Sequence, residues 1–470
     1  MRYLQTFQGA LCSYKNSCRL KNSRELRISE IKRILSGSEY DEKLSRIYCC
    51  DDDELPGYKD RIRKVADSFL NAFDKDETTK AAVFSSPGRA ELTGNHTDHQ
   101  KGKVLTGTVT LDTLAAAASS DDSFVNIISE GFGTIKTGLS ETEPVHDEKN
   151  TSAALVRGVI RYISDLGYSV SGFNAYITSD VPSGSGLSSS ASFSILIAII
   201  INELFCMGKL DVYEMTGAAK YAENVYFGKP CGLMDQTAIA LGGINHIDFS
   251  DKASAGSSVT GETKAVVEKP AHRRIDFSFK RSGYSIFIID TGSDHSALSK
   301  DFDAVPSEMF AAARALGKNY LDELDENIFR NNISLIRKES GDRAFLRAFH
   351  WFNECKRVNK QAEALSSGDI DTFLKLASES GRSSFMYLQN ISSYRDPESQ
   401  PVAVALAAAD MLLEGKGAFR VHGGGFAGTI IAFVPVDHAE AFRSGMNDIL
   451  GFDACREVRI RPEGACVLMK

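Results

Sequence analysis

Residues 87–99 read Pro-Gly-Arg-Ala-Glu-Leu-Thr-Gly-Asn-His-Thr-Asp-His, and they follow the apolar run Ala81 to Phe84. An apolar run of that length, closed by Pro87, Gly88 and Gly94, predicts a short buried strand whose charged residues lie where the strand ends and a loop begins. Loops on rigid scaffolds are where binding chemistry collects. Arg89, Glu91, Asn95, His96, Asp98 and His99 therefore read as a polar site rather than a core segment.

Outward from this stretch the pattern is mixed. From Tyr58 to Phe73 the apolar positions Ile62, Val65, Ala66, Phe69 and Phe73 recur at helical spacing, whereas Lys103 to Ala118 is Thr-rich and strand-like. Ser152 is placed to cap a helix carrying Leu155, Val159, Ile160 and Ile163 and ending at Gly167; a strand follows at Phe173 to Thr178. Residues 251–272 are rich in Ser, Gly, Lys and Glu and read as a linker or insertion. Beyond them come helices at Glu308 to Gly317 and Val402 to Leu413, and strands at Ser285 to Ile289 and Thr429 to Phe433. Residues 1–55 are polar, with an acidic run at Asp51 to Glu54 and one short helix near Ile28 to Leu35, so they are expected to be a peripheral extension. The predicted organisation is an extension (1–55), a first domain (56–250) and a second domain (251–470).

Composition narrows the function. A chain of 470 residues that is 43% hydrophobic can bury two or three cores. The net charge of -8 and the lack of a Lys/Arg block argue against nucleic acid as a partner. The longest apolar run, Ile195 to Ile201, is bounded by Asn202 and Glu203, which is too short for a membrane span. The first 33 residues are basic but hold no continuous apolar stretch, so a secretory signal is not expected. The nine cysteines show no C-x-x-C or C-x-x-H spacing, which suits reduced thiols in the cytoplasm. No base lies near Cys231 in sequence, and it is given no nucleophilic role.

Three further segments carry chemistry. Pro182-Ser-Gly-Ser-Gly-Leu-Ser-Ser-Ser-Ala191 directly precedes the apolar helical stretch Phe193 to Leu204. Glycines let backbone amides approach a ligand, and the free N–H groups and positive end of a helix attract phosphate. No lysine follows the glycines, so this is not a P-loop. It also reads as an ordinary serine-rich loop capping a core helix. In Tyr221 to Gln236, Glu223 lies in a helical run and Asp235 follows after the bend at Pro230 and Gly232. Two carboxylates about a bend can divide Mg²⁺ and substrate hydroxyl between them, as phosphoryl transfer requires; a solvated helix residue and a cap would look the same. Finally, Arg420-Val-His-Gly-Gly-Gly-Phe-Ala-Gly428 leads into the strand at Thr429, a sign of close backbone packing or ligand approach.

These four segments, in this order and spacing, resemble the GHMP kinase superfamily, and the first makes the resemblance specifically galactokinase-like. It runs from about residue 58 to the C-terminus. It implies an α+β, two-domain architecture with the active site in the cleft between N- and C-terminal domains. It also implies ATP and Mg²⁺ as cofactors, a small-molecule sugar as substrate, and phosphorylation at the anomeric hydroxyl. A monomer or weak homo-oligomer is expected. By the same resemblance Asp235 is the catalytic aspartate and Arg89 the arginine beside it. Gly184, Ser185, Gly186, Leu187, Ser188, Ser189 and Ser190 wrap the phosphates, while Ser190 and Glu223 hold Mg²⁺. Asn95, His96, Asp98 and Gly232 contact the sugar, and the Gly423 to Gly425 turn packs against the nucleotide site. The cluster His96 to His99 lacks the separated ligands a closed metal site needs.

The departures bear on the sugar. Galactokinases carry a glutamate, contacting the C6 hydroxyl, where this chain has Asn95. An amide in its place removes a charge that would repel a C6 carboxylate, about 4 kcal/mol at 4 Å and an effective dielectric near 20. Galacturonate or another galactose derivative is thereby an alternative to galactose. Phe302 stands near the family's sugar-contacting tyrosine, with Val305 and Pro306 after it, His99 replaces another tyrosine, and Gly381 stands where a histidine is usual. A catalytically silent sugar sensor on the same fold is the alternative of another class. The complete set of Arg89, Ser190, Glu223 and Asp235 argues against it.

Overall fold

The structure is a computed structural model that describes residues 25–182, 184, 186–229, 231–250, 258–260, 265–293 and 298–470. It begins with three helices, α1 (Ile28–Ser36), α2 (Asp41–Tyr48) and α3 (Leu55–Ala72), and then enters strands β1 (Ala82–Thr93), β2 (Lys103–Ser119), β3 (Phe124–Ser129) and β4 (Gly133–Gly138). Helix α4 (Ser152–Asp165), strand β5 (Phe173–Ser179), helices α5 (Ser189–Phe205), α6 (Val212–Tyr221) and α7 (Met234–Leu241), and strand β6 (Ile244–Asp248) follow. After the hairpin β7 (Ser258–Thr260) and β8 (Ala265–Val267) come β9 (Ala271–Ile275), β10 (Tyr284–Asp290) and helices α8 (Ser299–Ala315), α9 (Glu326–Asn331), α10 (Ile333–Ser340), α11 (Asp342–Ser367), α12 (Ile370–Ser383) and α13 (Pro401–Leu413). Strands β11 (Ala418–His422) and β12 (Thr429–Pro435), helix α14 (Ala439–Leu450) and strands β13 (Cys455–Val458) and β14 (Cys466–Met469) complete the chain.

Two main sheets result. The larger has eight strands with the path β14-β1-β2-β5-β3-β4; β6 pairs with the first half of β2, and β9 pairs with β6. The smaller runs β11-β12-β10-β13. All pairings are antiparallel except β3 with β5. The two sheets are therefore not built from the sequence before and after 251–272, the expected linker or insertion. Strand β9 begins at the end of that segment and still pairs with β6 of the first sheet, and β14 returns to pair with β1. The expected linker divides neither sheet from the other.

Strand β1 is buried along its whole length. Val83 belongs to a core with the N-terminal helices, Ala82 and Phe84 to one with α4 and α5, and Ala90 and Leu92 to one with α11 and the smaller sheet. This corrects the expectation of a short strand ending near Phe84. The strand continues through Pro87 and Gly88, with register shifts at Pro87/Arg89 and Glu91/Thr93. Arg89 and Glu91 consequently sit inside a strand, where period-two alternation directs them opposite to Ala90 and Leu92. Pro87 is tolerated at this irregularity because a bulge relaxes the ladder there.

Residues 28–55 are not peripheral, contrary to expectation. Ile28, Ile31, Ile34, Leu35, Leu44, Ile47 and Tyr48 are all buried in one cluster with α3 and β1. The helices are also fixed by a buried polar knot. Asp112 on β2 is fully buried and accepts hydrogen bonds from the Tyr48 hydroxyl (2.9 Å), Ser85, Arg61 and Arg461 (3.2 Å). Burial works against the charge of Asp112, but Arg61 and Arg461 outweigh it and hold its carboxyl below the ordinary value. Removing one partner of such a group leaves the others uncompensated. Asp112→Ala is expected to cost about 3–5 kcal/mol of unfolding free energy in urea denaturation, and a change under 1 kcal/mol would show that the knot is not structural.

Candidate active site

The site forms where β1, the N-terminus of α5, the start of α7 and the turn between β11 and β12 meet. The alternation along β1 aims Arg89 at Asp235: Nε donates to Oδ1 at 2.8 Å and Nη2 lies 2.6 Å from the same oxygen. Arg89 Nη1 donates to the Gly186 carbonyl, and the Ser188 hydroxyl donates to the other Asp235 oxygen. Two sequence-separated motifs thus share one carboxylate. Burial would raise the Asp235 carboxyl, but Arg89 and the Ser188 hydroxyl outweigh it and hold it below its ordinary value. Asp235 is ionised at neutral pH.

Helix α5 starts at Ser189, after Ser188 in a left-handed conformation (φ 61°). No acidic residue occupies its first turn, so its N–H groups and positive end are open to an anion. Gly186 is required by packing as well as by its φ of 68°: a Cβ there would overlap Thr429 Oγ1 and His422 Nδ1. The serine-rich loop thereby rests on the turn from β11 into β12. Among its expected members, Gly184, Gly186, Leu187, Ser188, Ser189 and Ser190 are placed at this end of α5; Ser185 lies outside the described residues.

Glu223 lies on a π-helical turn, Ala222–Phe227, rather than on a regular helix. Such turns insert one residue and re-aim a side chain, often at functional sites. Glu223 is 3% exposed, its Oε1 has no hydrogen-bond partner, and Ser190 is among the groups bonding its carboxylate. Burial pushes its carboxyl above the ordinary value, with the charge of Asp235 adding to the rise and Lys229 and Ser190 opposing it. A buried carboxylate oxygen without a donor is a site for a cation, and its chemistry fits Mg²⁺.

The loop after β1 is gripped by the second half of the chain. Glu354 on α11 accepts from the Thr93 hydroxyl (2.9 Å) and the Gly94 amide (3.2 Å), His350 Nε2 donates to the Asn95 carbonyl (3.0 Å), and Trp351 Nε1 donates to the Thr97 carbonyl (3.0 Å). From β11, Arg420 Nη2 donates to Glu91 (2.7 Å) and Nη1 to the Leu92 carbonyl (3.1 Å). The Glu91 amide donates to His422 Nε2 at 3.0 Å, which places the imidazole proton on Nδ1, toward Thr429. His350, Trp351, Glu354 and Arg420 were given no role in the sequence reading. Their signal was a helix-face pattern, His350-Trp351 with Glu354 one turn on, holding the chain's only tryptophan.

Among the expected sugar contacts, Asp98 and Gly232 are brought together: a Cβ at position 232 would overlap Asp98 Oδ2. His96, in a left-handed conformation (φ 56°), is half-buried, with Nε2 donating to the Gly424 carbonyl at 2.9 Å. Asn95 is a correction. Its side chain is fully buried and turned inward, Nδ2 donating to Glu91 (3.0 Å) and the Gly423 carbonyl (2.6 Å) while Oδ1 accepts from Asn390 (2.8 Å) and Ser384 (3.4 Å). An amide has no more than two donors and one acceptor oxygen to offer, so Asn95 holds the loop together rather than facing a ligand. Phe302 packs on Gly424, where a Cβ would overlap its ring, and meets Phe426 edge-on with centroids 5.4 Å apart.

Burial keeps three of these histidines neutral. It drives His96 down to about 3, holds His350 below its ordinary value, and places His422 far below it with Arg89 and Arg420 adding to the effect. Their depressed values mean that the unfolded chain binds more protons as the pH falls below the ordinary imidazole value. Stability is fully present above about 6.5 and is lost progressively toward the folded-state values, by up to about 1.4 kcal/mol per pH unit per histidine. Urea denaturation from pH 7.5 to 5 is expected to show this decline, and His422→Gln is expected to flatten it; a stability constant across that range would contradict the burial assignment.

Known proteins match this arrangement. The pattern described as "GHMP kinases N terminal domain" matches residues 154–243, and the "Galactokinase galactose-binding signature" matches residues 67–119. A galactokinase of Clostridium tetani is 30% identical over 377 residues, covering 78% of this chain and 89% of its own. One from Streptococcus mutans is 29% identical over 397 residues, covering 82% and 93%. The crystal structure of Lactococcus lactis galactokinase complexed with galactose superposes with a TM-score of 0.70 at 25% identity, covering 85% of this chain and 98% of that one. With the signature on β1 and its flanks and the relatives spanning both sheets, the chain belongs to the galactokinase family of the GHMP kinases.

Proposed function

We propose that the protein transfers the γ-phosphoryl group of ATP to the anomeric hydroxyl of galactose. The observation that carries this reading is the position of Asp235, an ionised carboxylate held by Arg89 and Ser188 at the open N-terminus of α5. Phosphoryl transfer asks little covalent chemistry of a protein; it needs an aligned acceptor and charge stabilisation. Asp235 accepts the hydrogen bond of the sugar hydroxyl. As the oxygen bonds to phosphorus and the bond to the ADP leaving group breaks, Asp235 takes up the proton. A carboxylate held below its ordinary pKa is a weak base, so its main task is to orient the hydroxyl, with the proton moving late. Arg89, joined to both Asp235 and the Gly186 carbonyl, ties the phosphate loop to the acid and places positive charge beside the transfer.

The unpartnered Oε1 of Glu223 and its neighbour Ser190 would hold Mg²⁺, the remaining ligands being phosphate and water. The ion would neutralise charge on the transferred group. Gly184 to Ser190 would wrap the phosphates through backbone amides, and His96, Asp98 and Gly232 would bind the sugar. The free cysteines among the described residues suit a reducing, cytoplasmic compartment, and no described helix is long and apolar enough to cross a membrane.

The galacturonate alternative loses its support. Asn95 does not present its amide to a ligand, and the carboxylate missing from position 95 is replaced within the same buried network by Glu91, bonded to Asn95 and Arg420. A glutamate at 95 would set two buried carboxylates about 3 Å apart. Asn95→Glu is therefore expected to destabilise the fold by about 3–5 kcal/mol without conferring a new sugar preference, and Glu91→Gln in the same chain is expected to restore stability. Failure of that rescue, read by thermal unfolding, would refute the shared-charge account.

For the activity itself, purified protein with Mg-ATP is expected to release ADP with galactose and far less with galacturonate, N-acetylgalactosamine, arabinose or glucose. Asp235→Asn is expected to lower kcat by about 10²–10⁴-fold while the protein still folds, with some loss of thermal stability from the unpaired Arg89. Turnover with none of these sugars would reject the proposal, and binding of ATP and galactose without turnover would favour the sensor.

A further inference from the structure

The phosphate loop brings no cation of its own. Its described residues, Gly184 and Gly186 to Ser190, are glycine, leucine and serine, and the nearby charges are the carboxylates of Asp235 and Glu223 and the guanidinium of Arg89. Arg89 is committed to Asp235 and the Gly186 carbonyl. A site built to receive a polyphosphate is thus left with one uncompensated carboxylate, even before the ligand's own charge is counted. In a P-loop, a lysine within the loop meets that charge. Mg²⁺ at Glu223 would offset part of that charge, and any further protein cation has to come from outside the loop.

Two lysines border the turn that carries Glu223. The π-helical turn that carries Glu223 ends at Gly228 (φ 86°), and the next residue, Lys229, donates its backbone amide to the Glu223 carbonyl at 3.0 Å. Lys149 reaches the same turn from the segment before α4. A Cβ on Gly228 would overlap Lys149 Cε, the Cγ and Cδ of the same stem would lie 3.3 Å from it, and the Asn150 amide donates to the Phe227 carbonyl at 3.1 Å. Glycine at 228 therefore both permits the left-handed turn and makes room for the lysine stem. Both lysines are exposed, and among the described residues neither ammonium is ion-paired. The charge of Lys229 is felt inside the site: it lowers the carboxyls of Glu223 and Asp235 and the thiol of Cys231.

We propose that Lys149 and Lys229, brought together over Gly228, are the cationic clamp that receives the β- and γ-phosphates of the nucleotide opposite the N-terminus of α5. The proposal rests on the reading of the site as one for ATP. The two lysines act from the rim, where flexible, well-hydrated ammonium groups draw a polyphosphate into a cleft and close on it without long-range order. The Lys149 stem lies against Gly228, so the clamp adds its charge at the turn that carries Glu223.

Methionine in place of each lysine keeps the apolar stem and removes the charge. Calorimetric binding of Mg-ATP in the absence of sugar, followed by steady-state kinetics, tests the clamp separately from the reaction. Each of Lys149→Met and Lys229→Met is expected to weaken Mg-ATP binding and raise its KM roughly 5- to 10-fold, and the double variant further, with KM for galactose changed less than twofold. Binding by the double variant is expected to vary less with salt than wild-type binding does. Arginine at either position is expected to retain most of the affinity. Wild-type binding of Mg-ATP with an unchanged Kd and salt dependence in the double variant would overturn the clamp and leave the kinase reading intact. Wild-type protein that binds no Mg-ATP at all would overturn both.

Discussion

The pairing of Arg420 with Glu91, both buried, ties the smaller sheet to β1 of the larger one. Arg420 bridges the Glu91 carboxylate and the Leu92 carbonyl, and its strand neighbour His422 accepts the Glu91 amide. These contacts leave β1 and β11 little freedom to slide or rotate. Buried ion pairs contribute uncertain net stability, because desolvation consumes much of the attraction, but they penalise wrong arrangements heavily. Here the penalty falls on any geometry that separates the two sheets. Arg89 on one side and the glycine turn after His422 on the other inherit their positions from it.

Around that anchor, Arg89 and Asp235 come from a strand and an α-helix, while several of their partners come from irregular backbone. Glu223 is delivered by one π-helical turn, and Ser384, which supports Asn95, by another at Ser384–Leu388. Ser188, His96 and Phe426 have left-handed backbones although none is glycine. Each such residue costs about 1–3 kcal/mol and persists only where surrounding contacts over-determine it. Those contacts are visible: the Gly424 carbonyl holds His96, Asp235 holds Ser188, and the Asn390 carbonyl holds the Phe426 amide at 2.5 Å. Other left-handed residues, such as Cys49, Asp74, Met207 and Glu414, close turns away from the site, so what marks these three is the set of contacts that holds each in place.

Much of this was readable from the sequence, and the limits have physical causes. The glycine-rich start of α5 and the pairing of Arg89 with Asp235 follow from local chemistry and a family resemblance, and the structure brings them together. Three readings failed for non-local reasons. Pro87 and Gly88 look like strand breakers, yet a bulge opposite Asp112 absorbs them and β1 continues. The polar segment before residue 55 looked detached because the partners of Ile28, Leu44 and Tyr48 lie on α3, β1 and β2, far along the chain. Asn95 looked like a ligand contact because nothing near it in sequence announces Asn390 or Gly423, which occupy its amide. Side chains committed to distant partners leave no local mark, whereas caps, periodicity and glycine turns do.

Strand β1 carries the site's first residues, but its outer neighbour in the sheet is β14, made of residues 466–469. Residues 94–465 separate the two. On the ribosome, β1 must therefore wait, with one edge unpaired, until the residues of β14 have emerged. An apolar strand edge held open in this way is the kind of surface that captures another chain. The early burial of α1 to α3 against β1 covers one face of that strand during the wait, giving the N-terminal helices a protective task during synthesis in addition to their place in the finished core.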